Sequence, residues 1–244
     1  MTQKSAQNLS PLMDGSGWEW LYRLGGIAAL IIAILIPFQI VAFIAWPPPS
    51  TVSAYFTLFQ QNRLLGLVDL DLLLIVDNLL SIFLTLAIFI ALRRTNPSFA
   101  TAALALGMIS IVLYLVSREA TFSMSTLSDQ YALASTDSQR QAILAAGQTL
   151  LTTYTGTDFN IGYILGAISL IIFSAVMLQN RIFSQAIAWL GIVSNVISLG
   201  LYVPVLGIYI SIFSVLFLWV WDILMARRLF QLASLKWNLG VQAA

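Results

Sequence analysis

Leu24-Gly-Gly-Ile-Ala-Ala-Leu-Ile-Ile-Ala-Ile-Leu-Ile-Pro-Phe-Gln-Ile-Val-Ala-Phe-Ile-Ala-Trp46 holds no charged side chain. Roughly 20 apolar residues suffice for a helix to cross the hydrocarbon of a bilayer. The run is long enough. It follows the aromatic group Trp18, Trp20 and Tyr22, and it ends at Trp46 before Pro47-Pro48-Pro49. Trp and Tyr favour the headgroup level at both ends of a span, and consecutive prolines forbid further helix. Pro37 lies inside and should bend it. A cleaved signal has a basic start and a shorter apolar region. The residues ahead of Trp18 are polar and barely basic, with Lys4 balanced by Asp14. The run is therefore read as a retained first span.

The rest of the chain repeats the pattern. Of 244 residues, 59% are hydrophobic and 9% charged, with mean hydropathy +0.91. A soluble domain carries about 25% charged residues, so this chain lacks the polar surface to face water. Hydrocarbon needs no such cover. Six spans are predicted, at about 22–46, 64–92, 98–117, 158–178, 184–203 and 207–226, within one membrane domain over 18–230. Polar tails are expected at 1–17 and 231–244. The segment from about 120 to 157 is the largest polar stretch. In it Ile143, Leu144, Gly147, Leu150, Leu151 and Tyr154 recur at helical spacing after the capping cluster Thr136-Asp137-Ser138. That predicts an amphipathic helix over 136–155, lying on or dipping into the outer surface. The fold class expected is an all-α polytopic membrane bundle.

Orientation follows from the basic residues. With the N-terminus inside, Lys4, Arg23, Arg93, Arg94, Arg181, Arg227, Arg228 and Lys236 fall on the cytoplasmic side. Only Arg63, Arg118 and Arg140 fall outside. Both termini are expected in the cytoplasm.

Net charge is +1, which supplies no electrostatic basis for binding nucleic acid. Cys and His are both absent. Those absences remove disulfides, Cys- or His-ligated zinc, His-ligated haem, and Ser-His or Cys-His catalysis. No catalytic residue, metal or cofactor is expected.

The second span is unusual in holding Asp69, Asp71, Asp77 and Asn78. A carboxylate at the centre of a span costs about 2.5–3.5 kcal/mol on insertion scales, and such groups usually face a partner or a water-filled cavity. Asp71 and Asn78, seven apart, share a helical face with Thr85. A rise of about 1.5 Å per residue puts Asp71 and Arg118 roughly 30 Å from the cytoplasmic ends of their helices, near the outer boundary. Asp158 opens span four at the same level. These positions predict an outward-opening vestibule formed by Asp69, Asp71, Arg118, Glu119, Asp158 and Asn160, with Asp77 and Asn78 deeper and Tyr163 one turn into span four. Two readings stand side by side. Arg118 can pair with Asp71 or Asp158 and pin three helices, or the cluster can hold a ligand, ion or proton. Asp77, the deepest and with no cation near it in sequence, is the candidate proton carrier.

Several classes are excluded by pattern. No Gly-x-Gly-Asp supports an aspartyl intramembrane protease, no span has the regular arginines of a voltage sensor, and no span holds a lysine for retinal. Gly162-Tyr-Ile-Leu-Gly166, extended by Ser169, and Gly191, Ser194, Asn195 and Ser198 are small-residue stripes. They predict close packing of spans four and five, or a homodimer seam. Asp222 and Arg227 are spaced for an ion pair.

Leu127-Ser-Asp-Gln-Tyr-Ala132, Leu144-Ala-Ala-Gly-Gln148 and Thr155-Gly-Thr-Asp-Phe-Asn-Ile-Gly-Tyr163 occur in order, with Leu21-Tyr-Arg-Leu-Gly-Gly26 before them and Phe183-Ser-Gln-Ala-Ile-Ala-Trp-Leu-Gly191 after. In these motifs the chain resembles a bacterial membrane family, domain of unknown function 4386, over roughly residues 20–225. The resemblance implies about six membrane helices and carries over no functional residues. With that resemblance, the leading expectation is a non-enzymatic protein of the bacterial inner membrane that binds a small molecule, a lipid or a partner through the vestibule. The alternatives are a small proton-coupled transporter using Asp77, an accessory subunit of a larger membrane complex or a homo-oligomer, and, third, a membrane enzyme whose acid–base groups would be Asp, Glu, Tyr or Arg.

Overall fold

A computed structural model describes residues 17–242, with side chains for 17–234. Lys4, Asp14 and the Lys236 side chain lie outside the described residues. Chain order is α1 (Glu19–Ala45), α2 (Val52–Gln61), α3 (Arg63–Asp69), α4 (Leu72–Leu92), α5 (Pro97–Ser117), α6 (Ala120–Leu133), α7 (Asp137–Tyr154), α8 (Thr157–Leu178), α9 (Gln185–Ser198), a 3-10 turn (Leu199–Tyr202) and α10 (Gly207–Gln242). No strand occurs among the described residues. Among the described residues, six helical stretches are long and apolar enough to cross a bilayer. This is an all-α polytopic bundle. The expected tail from 231 is, as far as Gln242, a continuation of α10.

The chain divides into two compact units. Among the described residues, one comprises those up to Leu30, Phe83–Ala105 and those from Ser169 onward. Its helices approach closely where small residues meet. A Cβ on Gly25 of α1 would lie 2.5 Å from the Ala87 Cβ on α4, and one on Gly191 would lie 2.2 Å from the Ser174 Oγ and 2.9 Å from the Trp221 Nε1. The Ser169 hydroxyl donates to the Ala103 carbonyl at 2.6 Å. Asn195 donates to the Gly191 carbonyl at 2.8 Å, so it satisfies its own helix. Phe173, Met177, Trp221, Met225 and Leu229 are fully buried here.

The other unit comprises Ile31–Ile82 and Leu106–Ile168. Its core is Val52, Tyr55, Phe56, Phe59, Leu70 and Met124, and the apolar stripe of α7 (Ile143, Leu144, Leu150 and Leu151) packs against it. The predicted amphipathic helix forms, and its stripe packs on α2 and α6. Local chemistry sets its boundaries. Thr136 caps α7 reciprocally with Gln139. Asn62 ends α2 and starts α3, its side chain accepting from the Leu65 amide at 3.0 Å. Between α2 and α7, Gly147 leaves no room for a side chain, since a Cβ would come within 2.5 Å of Val52 Cγ1.

Two further expectations need correction. Span two is not continuous over 64–92. The helix stops at Asp69, Asp71 takes the left-handed conformation at φ 65°, and a new helix starts at Leu72. Asp tolerates that region better than most residues. Asp71 consequently does not share a stripe with Asn78 and Thr85, and Asn78 donates to the Leu74 carbonyl of its own helix at 2.9 Å. The Gly162–Gly166 stripe packs on α5, with Gly162 against the Ser110 carbonyl and Leu113, instead of on span five. Ser110 donates to the Gly162 carbonyl at 2.7 Å.

Candidate functional site

Three helix interruptions in the second unit supply the polar site. Asp71 sits between α3 and α4, Arg118 between α5 and α6, and Tyr154 is the last residue of α7 before α8. An interruption frees backbone groups that must find partners. The Leu70 carbonyl accepts from the Thr121 hydroxyl, so the α3–α4 break is closed by the start of α6. The Tyr154 carbonyl accepts from Arg118 Nη1 at 3.0 Å. Asn160 caps the end of α7 through the Thr155 and Gly156 carbonyls, at 3.0 and 2.8 Å.

Arg118 Nε lies 3.0 Å from Asp71 Oδ2, with side-chain exposures of 3% and 9%. The contact is a close approach of charges rather than an aligned hydrogen bond, since Nε finds no acceptor in line. Asp71 is otherwise satisfied. Gln39 of α1 donates to Oδ1 at 3.1 Å, and the Tyr154 hydroxyl donates to Oδ2. The guanidinium carbon sits 4.1 Å from the centre of the Tyr154 ring, 4.7 Å from Tyr114 and 5.1 Å from Phe159. A desolvated cation over ring faces gains roughly 2 kcal/mol each at best. Those rings and the Asp71 carboxylate replace the water Arg118 has lost. The arrangement is closed. Its chemistry is to hold α1, α4, α5 and α7 together where three of the chain's helices break.

Asp69 differs. It is 4% exposed and its buried Oδ1 has no hydrogen-bond partner. Burial pushes its carboxyl up to about 6. Tyr55 is pushed up to about 12, first by its own burial and then by the charges of Asp69 and Asp71, so its hydroxyl keeps its proton across the working range. A folded-state value above the unfolded one means stability is gained by protonation. The Asp69 handicap is full above about pH 6 and gone below about pH 4. We expect Asp69→Asn to be more stable than wild type at pH 7.5 by about 1–2 kcal/mol, after allowing for residual solvent screening. The two melting curves should converge at pH 4. A gain unchanged between those pH values would show that the carboxyl is not the cause.

The remaining candidates separate. Asp77 is half-buried on α4 and, among the described residues, has neither a hydrogen bond nor an ion pair. Glu119 is exposed and takes no part in the Arg118 contacts. Asp158 is half-buried, and its neighbour Phe159 is the residue that reaches Arg118. Tyr163 stacks on Phe159 at 5.8 Å. Sequence reasoning missed Gln39, Tyr114, Tyr154 and Phe159. Gln39 carried a signal, as the one polar side chain between Leu24 and Trp46. Tyr154 was visible only as an apolar member of the α7 stripe. The spaced pair Asp222 and Arg227 does not form, since Asp222 is buried while Arg227 is exposed and has no ion pair among the described residues.

Six apolar spans, with a desolvated ion pair holding broken helices together, define a multi-pass α-helical membrane protein. The chain belongs to the family described as domain of unknown function (DUF4386), which matches residues 24–232. No curated protein and no solved structure matches it.

Proposed function

We propose that this chain is a non-enzymatic protein of the bacterial inner membrane, with both termini cytoplasmic, whose extracytoplasmic helices α2, α3, α6 and α7 bind a small or lipidic ligand. The carrying observation is the orphaned Oδ1 of Asp69. A buried acceptor without a partner costs about 1–3 kcal/mol, and a ligand that offers an N–H or O–H would recover that cost. A protonated amine suits a carboxylate best. Arg118 and Asp71 then act as positioning residues, because their groups are engaged with each other and with Tyr154. The lipid bilayer is the medium in which this binding occurs.

The test compares small molecules and lipids extracted from purified wild type, Asp69→Asn and Asp69→Ala, quantified by mass spectrometry. One amine- or hydroxyl-bearing species should fall at least fivefold in Asp69→Ala at unchanged protein yield. Equal content in all three would overturn the reading.

Asp77 favours a second reading, a small proton-coupled transporter, because a partnerless carboxyl on a spanning helix is suited to carry a proton. In proteoliposomes loaded with a pH-sensitive dye, transport predicts proton flux above empty vesicles, and Asp77→Asn should abolish it. Flux equal in wild type and Asp77→Asn excludes that role. An accessory-subunit or homodimer role has less support, since the Gly162 stripe offered as its seam is filled by Ser110 and Leu113 of the same chain.

A further inference from the structure

A second polar locus lies in the first unit, where α8 ends and α9 begins. A cavity of about 370 Å³ is lined there by Arg181, Arg227 and Arg228, together with Ser184 and Gln231. No carboxylate lines it. Arg181 and Arg227 are exposed and, among the described residues, neither has an ion pair or hydrogen bond. Arg228 is half-buried and held in place, with Nε donating to the Ile182 carbonyl and Nη1 donating to Gln231 Oε1 at 3.0 Å. A guanidinium has five N–H donors, so Arg228 keeps unspent donors in a fixed orientation. Three like charges around one cavity repel each other, and a multivalent anion is the group that converts their repulsion into attraction.

We propose that this cavity is a phosphate-binding site, with an anionic phospholipid headgroup as the ligand class its setting favours. Three features support a phosphate. Guanidinium groups match phosphate oxygens in a bidentate fork. The first turn of α9, capped by Ser184 accepting from the Ile187 amide at 3.3 Å, adds the positive end of a 14-residue helix dipole. Gln231 supplies a neutral donor at the rim. The lipid source is favoured by the apolar walls. Phe183, Ile187 and Leu224 line the same cavity, so one opening offers hydrocarbon contact and positive charge together. Arg181, Ile182, Phe183 and Ser184 lie in the link between two spanning stretches, after Leu178 and before Gln185, which is headgroup level, and Leu224, Arg227, Arg228 and Gln231 come from the second half of the stretch Gly207–Ser234. The site shares no residue with the Asp69 locus, so either proposal can fail without the other.

The experiment uses the full chain purified in neutral detergent. Melting temperature is followed while phosphatidylglycerol, phosphatidylcholine or inorganic phosphate is titrated in, and native mass spectrometry counts bound lipid. A ligand that binds only the folded state raises the melting temperature in proportion to the logarithm of its concentration. Phosphatidylglycerol should raise it by several degrees and phosphatidylcholine should not. Arg181→Gln with Arg227→Gln should weaken the effect at least about tenfold in apparent affinity, whereas Arg181→Lys with Arg227→Lys should retain most of it. These two positions are exposed, so the variants test binding and not folding. An equal shift with millimolar inorganic phosphate, also lost in the Gln variant, would support the phosphate site and assign it to a soluble source. No shift with either anion, or a shift that survives the Gln substitutions unchanged, overturns the proposal.

Discussion

Asp71→Ala is expected to be the most destabilising single substitution in the second unit, at about 3–5 kcal/mol. The loss comes from what remains behind. Arg118, 3% exposed, would keep its charge with no carboxylate within reach, and Gln39 and Tyr154 would each lose an acceptor. Arg118→Leu should cost less, because Asp71 can protonate and still accept from Gln39 and Tyr154. The double variant Asp71→Ala/Arg118→Leu should recover part of the loss, with a coupling energy of about 1–3 kcal/mol. Backbone strain is separable from charge. Asp71→Gly removes the penalty of a left-handed residue, about 1 kcal/mol, and should be milder than Asp71→Ala by that amount. Asp71→Asn keeps the left-handed tolerance and one acceptor, so what it loses is mostly charge. Thermal or denaturant unfolding in detergent micelles reads all five. Simple additivity of the two single substitutions would show that the contact at 3.0 Å is not an energetic pair.

How legible this site was in the sequence depends on rarity. In a chain with so few charges, Asp71 and Arg118 stood out because each interrupts an apolar run, and their common level followed from helical rise. The six spans were legible for the same reason. The break at Leu70-Asp71 was not. Leu70 and Leu72 flank Asp71 and the apolar pattern resumes at once, so the sequence reads equally well as one helix that carries two carboxylates. What opens the helix is tertiary, namely Thr121 accepted by the Leu70 carbonyl and three groups drawn to the Asp71 carboxylate. Arg118's aromatic surround was hidden for a different reason. Tyr114, Tyr154 and Phe159 fit an apolar helical pattern equally well as core residues, and only the folded chain shows a cation beneath their faces. Glu119 and Asp158 show the reverse error. Adjacency to a key residue suggested membership, but neighbours on a helix point about 100° apart, so on α8 Phe159 takes the place expected of Asp158, and Glu119, in the link between α5 and α6, is exposed. Asn160 was grouped by level with the charges, and its amide is spent on closing α7.

Gly25→Ala carries the second large effect, and its sign is the informative part. In a helix whose surface is open, Gly→Ala stabilises by about 1 kcal/mol, because alanine loses less backbone entropy. At residue 25 the new Cβ would meet the Ala87 Cβ at 2.5 Å, with the Phe83 carbonyl oxygen at 3.2 Å and Leu229 Cδ1 at 3.3 Å. A Cβ has no torsion with which to escape, and neither does its counterpart on Ala87. Only separation of α1 from α4 relieves the clash, at an overpacking cost of about 1–3 kcal/mol or more. The helices also lose the close contact that holds spans together in lipid, where burial of apolar surface drives no association. We therefore expect Gly25→Ala to melt several degrees below wild type, and Gly25→Val to fold poorly. The compensating change is specific. Ala87→Gly removes the atom that is struck, so Gly25→Ala/Ala87→Gly should regain most of the stability, whereas Ala87→Gly alone should be mildly destabilising. A Gly25→Ala protein as stable as wild type, or a double variant no better than the single, would mean that α1 and α4 do not meet at this pair of residues.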